Sequence, residues 1–501
     1  MQITSFYYFL FLAVSVFIYY IFPKTIQWIW LLIVSVSFYF LSAAPYTILY
    51  LIISTATAYA ATRLIECLQS KDNEKPAKAV LIIALSINIL IWFRAKGTDL
   101  YNPIFQALHI PVPREVIASL GMGYYTAQII GYILDCYWNT IKAEKNPFKL
   151  FLFVSFFPQL ISGPISRFEK LKDLYAEHRF SIEKIEHGCQ RILFGLFKKL
   201  VIAERVGIIV NGIYADTEAY AGFYLWLALL LFPLQMYTDF SGCMDIVLGT
   251  AELFDIKLEE NFNNPFFSRT NQEFWQRWHI TLGTWAKDYV LYPLLKTNFF
   301  INFGKLCKKK FGKKIGKKIP TTIGMFCLWL VMGIWHGGIK YIIGVSLWYW
   351  LLLTMSDFAA PLFQKFKLED SFSVRLFQRM RTYFIYAVGA LFFRAPSIKD
   401  ALKFINGLFL TFKDPNPWIF FNKDIYSFGI ERYDVDMIIL GIAILIFVGI
   451  AREKYGYART WMDKQLLPFR WVVWIGLFLL VLIYGEYGPG YNAAAFIYKG
   501  F

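Results

Sequence analysis

Two histidines sit beside tryptophans in apolar surroundings, His279 in Phe274-Trp275-Gln276-Arg277-Trp278-His279 and His336 in Gly333-Ile334-Trp335-His336-Gly337-Gly338. A neutral imidazole in such a setting can act as a general base near neutral pH. The chain has five histidines; His178 and His187 lie in a lysine- and glutamate-rich segment, and His109 lies among polar and proline-rich residues. Only His279 and His336 fall within membrane-type sequence, where an ionisable group is a functional candidate by default. The plain alternative for either is a neutral ring bonded to a backbone carbonyl.

The surrounding chain must place these rings at depth. Its 501 residues are 57% hydrophobic and 20% aromatic, with a mean hydropathy of +0.46, far beyond the apolar share of a soluble globular protein. An all-α polytopic membrane protein follows. Lys and Arg number 51 against 35 Asp and Glu, an excess that belongs in cytoplasmic loops facing anionic lipid; no nucleic-acid signature accompanies it. The six cysteines are dispersed without metal or redox spacing, so no metal site and no disulfide framework is expected. The run 6–22 lacks a basic leader and a small-residue cleavage site, which makes it a first membrane helix rather than a removable signal.

Apolar runs long enough, or nearly so, for a hydrocarbon core of about 30 Å lie near 6–22, 28–42, 46–66, 79–93, 115–135, 191–213, 222–248, 376–393, 437–451 and 471–485, giving about ten spanning helices. If they alternate, Lys71, Lys75 and Lys78, Lys142 to Lys149, Arg167 to Arg179, and Arg452 to Arg459 share one side with the eight lysines of 305–318. That side is expected to be the cytoplasm, with both termini extracytoplasmic. The segment 394–436, which mixes acids and bases, then faces outward.

Two stretches look too short to span. Leu150 to Ile161 is broken by Pro158 and stopped by Gly163-Pro164. Thr321 to Trp335 would rise about 22 Å before Gly337-Gly338, with a second helix running back from Tyr341. Both read as re-entrant or hairpin elements around a central tunnel, with His336 near its waist, since irregular backbone at membrane depth needs protein or a wet cavity around it. Two ordinary helices with a tight turn are the alternative. Thr270-Asn271-Gln272-Glu273 has the form of a capping box, and Trp278, Leu282, Trp285 and Tyr289 then form the stripe of an amphipathic helix. That helix could lie along the surface or dip inward.

In order along the chain, several blocks support a family reading: Ser162-Gly163-Pro164-Ile165-Ser166-Arg167-Phe168, Gly195 to Glu204, Thr238-Asp239-Phe240-Ser241-Gly242 with Asp245, Glu260 to Phe266, Phe274 to Leu282 with Trp285, Asp288 and Tyr289, Gly333 to Gly337, and Leu391 to Ala395. Together they resemble the membrane-bound O-acyltransferase family, in its bacterial alginate O-acetyltransferase-like branch. Cys243-Met244, Leu291 to Leu295 and Ile339-Lys340 depart from the family pattern without removing a catalytic atom. The resemblance implies that His336 is the principal catalytic histidine and His279 the second polar residue of the site. It also implies acetyl-coenzyme A as a cytoplasmic acyl donor, no permanently bound cofactor, and a location in the bacterial cytoplasmic membrane. A cell-surface or secreted polysaccharide is the implied acceptor, and an extracytoplasmic acetyltransferase the implied partner.

The expected organisation is one integral-membrane domain over 1–501, a catalytic core over 115–395, and a cytoplasmic amphipathic and lysine-rich segment over 249–320. Acyl transfer needs a nucleophile, a proton acceptor and donors for the oxyanion. His336 would deprotonate the attacking hydroxyl or carry the acyl group, while His279 would orient the donor or stabilise the oxyanion. Arg269, Arg277 and Lys287, with Trp278 nearby, could meet donor phosphates by charge-assisted hydrogen bonds; the 305–318 lysines read instead as a topology signal. Trp335, Asp239, Asp245 and Ser241 are candidate tunnel-lining residues, although Asp239 and Asp245 could equally be bonded to amides or a nearby arginine. No glycine-rich nucleotide loop, zinc motif or serine elbow is present. D-alanyl transfer to teichoic acid from a carrier thioester is the runner-up. A secondary transporter would call for matching halves, which the sequence lacks, and a scaffold would leave buried histidines as a needless cost.

Overall fold

The computed structural model describes residues 1–112, 117–217, 219–220, 222–363, 369–409 and 424–487. Among these residues the chain is helical, apart from loops and one isolated antiparallel bridge between Phe262 and Trp278. Among the described residues, eight helices are long and apolar enough to cross a membrane: Lys24–Ser42, Pro45–Gln69, Glu74–Lys96, Phe223–Leu253, Asn298–Trp335, Ile339–Ala360, Arg432–Tyr455 and Leu467–Tyr484. Phe6–Ile21 is a shorter apolar helix, started by Ser5, whose hydroxyl accepts the Tyr8 N–H at 3.2 Å. Large apolar side chains such as Phe17, Leu90, Phe447 and Ile483 point outward, as a lipid-facing surface demands. The molecule is therefore an all-α, multi-pass membrane protein.

The remaining expected spans take other forms. The 115–135 run becomes the 16-residue helix Met122–Tyr137, and the 376–393 run lies within Phe372–Arg394. The 191–213 run is a composite of Ile182–Leu196, a wide π turn at Phe197–Ala203 and Glu204–Ala215. Residues 113–116 and the middle of the expected outward segment, 410–423, lie outside the described residues.

At the centre stands Phe223–Leu253, 31 residues long and packed on several sides. It crosses Ile182–Leu196 at glycines seven apart on each helix. A Cβ on Gly195 would lie 2.6 Å from the Gly242 carbonyl oxygen, and one on Gly249 would lie 2.6 Å from that of Gly188. Such backbone approach is what small residues provide between membrane helices. Gly195→Val is expected to lower the thermal stability of detergent-purified protein by about 1–3 kcal/mol, the usual cost of overpacking. Gly476→Ala, whose added Cβ meets open space, should leave the unfolding temperature unchanged; equal melting of the two variants would contradict the crossing.

The 38-residue element Asn298–Trp335 is two helices, because Gly312 at φ 76° and ψ 168° is not helical. The chain doubles back there: a Cβ on Gly316 would lie 2.4 Å from the Cys307 carbonyl oxygen, and one on Gly304 would lie 3.6 Å from Pro320. The 305–318 lysines thus cluster around a hairpin tip. The stretch expected as a short arm, Thr321 to Trp335, is the apolar end of a helix that starts after Gly312 and rises about 34 Å. It turns at residues 336–338 into Ile339–Tyr341, a π segment Ile342–Leu347 and Trp348–Phe363. The hairpin therefore forms, with arms of crossing length. Leu150 to Ile161 does stay short, as Pro147–Ser155 and Phe157–Leu160 around a break at Phe156, and its Leu150, Leu152, Phe153 and Phe157 are buried.

Candidate active site

His279 is positioned by a break in the helix expected to run through it. Thr270 caps the first helix, Asn271–Arg277, by accepting the Glu273 N–H at 3.1 Å. Glu273 returns its carboxylate to the Arg269 N–H at 2.7 Å, one residue earlier than a full capping box requires. Trp278 then extends, His279 adopts a left-handed conformation at φ 45°, and a new helix begins at Ile280. A non-glycine residue in that region is strained, and here a short ladder holds it. The Asn263 N–H donates to Arg277 O at 2.9 Å and the Ile280 N–H to Asn261 O at 3.0 Å, on either side of the Phe262–Trp278 bridge. The aromatic stripe turns inward: Trp278, Leu282 and Tyr289 are buried, and Trp285 donates its indole N–H to Ala127 O at 2.8 Å.

Asn261 also holds the His279 ring. Its Oδ1 accepts the Thr281 N–H at 3.0 Å and the Thr281 hydroxyl at 2.8 Å, and lies 3.3 Å from His279 Nδ1. Thr281 Oγ1 in turn accepts the Ile165 N–H at 3.0 Å, which ties the Gly163-Pro164-Ile165 turn to the histidine. Around the imidazole stand Phe240 at 5.0 Å, Trp335 at 6.2 Å and Tyr124 at 6.5 Å between ring centroids.

His336 ends the long hairpin arm, its N–H donating to Met332 O at 3.1 Å. Gly337 and Gly338 follow at φ +92° and +32°, values that only glycine reaches cheaply, so the turn is compact and the ring stays buried. Trp335 is fixed by its indole N–H on Gly123 O at 3.2 Å. Phe393 and Tyr341 flank His336 at 5.5 and 6.1 Å.

Both histidines line one cavity of about 800 Å³. Its wall continues through Trp275, Trp329 and Tyr349 to Lys287, Lys313, Lys314, Lys317 and Lys318. Lys314 and His336 lie on one helix about 33 Å apart along its axis. The space is therefore long and narrow, with its cationic side chains at one end. Trp275 and Trp329 bring buried indole N–H groups that meet no acceptor among the described residues, and such donors call for a partner.

The other candidates divide. Lys287 and Trp278 line the cavity, whereas Arg269 and Arg277 do not. Arg269 pairs with Asp370 at 2.5 Å and Gln378 at 2.7 Å; Arg277 pairs with Glu453 and, at 2.8 Å, with Glu273. Trp335, Asp239, Ser241 and Asp245, expected along the tunnel, all lie outside the cavity lining. Asp239 meets Lys199, and Asp245 meets Lys198 at 2.5 Å and Arg191 at 3.2 Å; the arginine expected as an alternative partner is present at Asp245, and lysines pair with both acids. Ser241 accepts from Lys198 at 3.0 Å. Sequence reasoning missed the cavity role of the four lysines, the Trp275–Trp329 contact at 4.9 Å, and Asn261. Lysine spacings of three and four over 313–318 were the available signal for the first; nothing local pointed to Asn261.

Residues 141–394 match the model of the MBOAT, membrane-bound O-acyltransferase, family, and the chain belongs to that family. It is similar to the Pseudomonas aeruginosa protein named "Probable alginate O-acetylase AlgI", 27% identical over 413 residues, which cover 80% of this chain and 73% of that one. The peptidoglycan O-acetyltransferase of Helicobacter pylori is 27% identical over 363 residues, 66% and 64% of the two chains. The teichoic acid D-alanyltransferase of Bacillus subtilis is 28% identical over 266 residues, 51% and 63%. The protein is an O-acyltransferase of the alginate O-acetylase-like branch.

Proposed function

We propose that the protein transfers acetyl groups from acetyl-coenzyme A, bound from the cytoplasm, to a hydroxyl presented on the far side of the bacterial cytoplasmic membrane. The final acceptor is a cell-surface or secreted polysaccharide, reached with an extracytoplasmic acetyltransferase that completes the transfer. The observation that carries this reading is the single cavity joining a five-lysine mouth to His279 and His336. Lysines offer point charges for phosphates, the Trp275 and Trp329 N–H groups suit amide carbonyls of a pantetheine arm, and the histidines stand where the thioester would arrive. His336 takes the proton of the attacking hydroxyl as the new C–O bond forms. The C–S bond breaks with its electron pair on sulfur, and the imidazolium returns the proton to the thiolate. In this orientation the lysine tip is cytoplasmic and both termini are extracytoplasmic.

Purified protein in nanodiscs, given labelled acetyl-coenzyme A, tests the reading. Thioester consumption should depend on His336. Replacing Lys313, Lys314, Lys317 and Lys318 together by Gln should raise KM for the donor about tenfold or more, the effect of losing about 1.4 kcal/mol of binding, with kcat changed far less. An unchanged KM would remove the lysine mouth from donor binding. Activity with a D-alanyl carrier thioester alone would select the teichoic acid reading, and labelled uptake without thioester cleavage would make the chain a transporter.

A further inference from the structure

The amide of Asn261 is oriented by its neighbours. The Thr281 backbone N–H can only donate, so the Asn261 atom it meets at 3.0 Å is the carbonyl oxygen; the amide nitrogen faces Met244 Sδ at 3.3 Å. That same oxygen lies 3.3 Å from His279 Nδ1. An amide oxygen carries no hydrogen, so a hydrogen bond across this contact requires the proton on Nδ1, and the neutral ring then has its lone pair on Nε2. All three residues are buried, Asn261 at 1%, His279 at 3% and Thr281 at 4% exposure, so water is a poor competitor for the arrangement.

We propose that Asn261 is a positioning residue that fixes His279 as its Nδ1–H tautomer, making Nε2 a hydrogen-bond acceptor toward the substrate. His279 then holds an N–H or O–H group of a substrate and does not supply the hydrogen bond for the oxyanion, a role left to other donors of the site. This separates the two tasks that the sequence leaves open for His279. The strained backbone at φ 45° and the ladder from residues 261 to 263 serve one geometry: they bring Nδ1 to the Asn261 oxygen on a residue that lines the cavity.

The substrate role rests on the acyl-transfer reading; the tautomer does not. Solid-state nitrogen-15 spectra of histidine-labelled full-length protein, without substrate, give the tautomer of each ring, and the His279→Gln spectrum identifies the His279 signals among the five histidines. The expected result is a protonated Nδ1 and an unprotonated Nε2. An Nε2–H tautomer in the wild-type spectrum overturns the proposal, whatever the donor proves to be. Asn261→Leu should lose the Nδ1–H form and lower kcat/KM about tenfold or more, the scale of one misdirected buried hydrogen bond. Asn261→Asp, whose carboxylate oxygen still accepts from Nδ1, should keep a protonated Nδ1. Should Asn261→Leu fail to fold, the wild-type and Asn261→Asp spectra still decide, since loss of the Nδ1 proton in Asn261→Asp counts against the proposal.

Discussion

His336→Ala is expected to lower acyl transfer by about 10²–10⁴-fold, the contribution of a positioned general base, while protein level and elution from size exclusion stay as in the wild type. The ring closes the deep part of the cavity against Trp335 and Phe393, and its backbone follows regular helix geometry up to the glycine turn. Removing the imidazole therefore leaves the local chain direction intact. The loss should fall on kcat rather than on donor KM, because Lys313 to Lys318 lie about 27–35 Å away along the helix axis. Single-turnover assays with labelled acetyl-coenzyme A in nanodiscs, at saturating donor, read this directly. Turnover within a few-fold of wild type at normal protein level would end the assignment of His336. A large rise in KM with kcat preserved would make it a binding residue instead.

Arg205→Leu is expected to destabilise the fold by about 3–5 kcal/mol, the usual result of removing one partner from a buried ion pair. Arg205 Nε donates to Asp434 at 2.8 Å, its Nη2 lies 3.2 Å from Glu486, and its Nη1 donates to Val201 O at 3.3 Å. The side chains of Arg205 and Asp434 are 3% and 6% exposed, so the carboxylate would lose its guanidinium in a low-dielectric interior. Three segments meet here: Glu204–Ala215, the start of Arg432–Tyr455 and the residues just after Leu467–Tyr484. Thermal unfolding in detergent, followed by tryptophan fluorescence, should show the drop. Arg205→Leu combined with Asp434→Leu should recover much of it, because a buried ion pair is worth little over well-packed apolar residues. Equal stability of Arg205→Leu and wild type would show that the pair is not buried in the folded protein.

The spans were legible because hydropathy over some twenty residues is a local property, and the short broken element at Leu150 to Ile161 was legible from Pro158 and Gly163-Pro164. The histidines stood out for a similar reason, as ionisable groups in apolar runs. What periodicity could not show is the left-handed break at His279, since the helix pattern through Trp278, Leu282 and Trp285 is unbroken in sequence. The break is set by Asn261, 18 residues earlier, and steadied by Ile165, 116 residues before Thr281. Asp239 and Asp245 were similarly ambiguous. A π turn brings the neighbouring Lys198 and Lys199 both inward to meet them, and no residue count predicts that extra width. Yet a buried carboxylate needs a cation, and two lysines in another apolar run were the available hint. Arg269 and Arg277 misled because charge alone does not say which acid is near.

The cavity has one more consequence, which concerns reach. Lys313 to Lys318 lie about 27–35 Å from His336 along the helix axis, and a molecule that touches both must span what the side chains leave of that length. Compact anions can fill the mouth and still never meet an imidazole, and short thioesters can meet the imidazole without any grip. In the acetyl-transfer reading proposed above, the wall would work as a gauge: it would sort by length before it sorts by chemistry, favouring a donor whose charge and reactive end are held far apart.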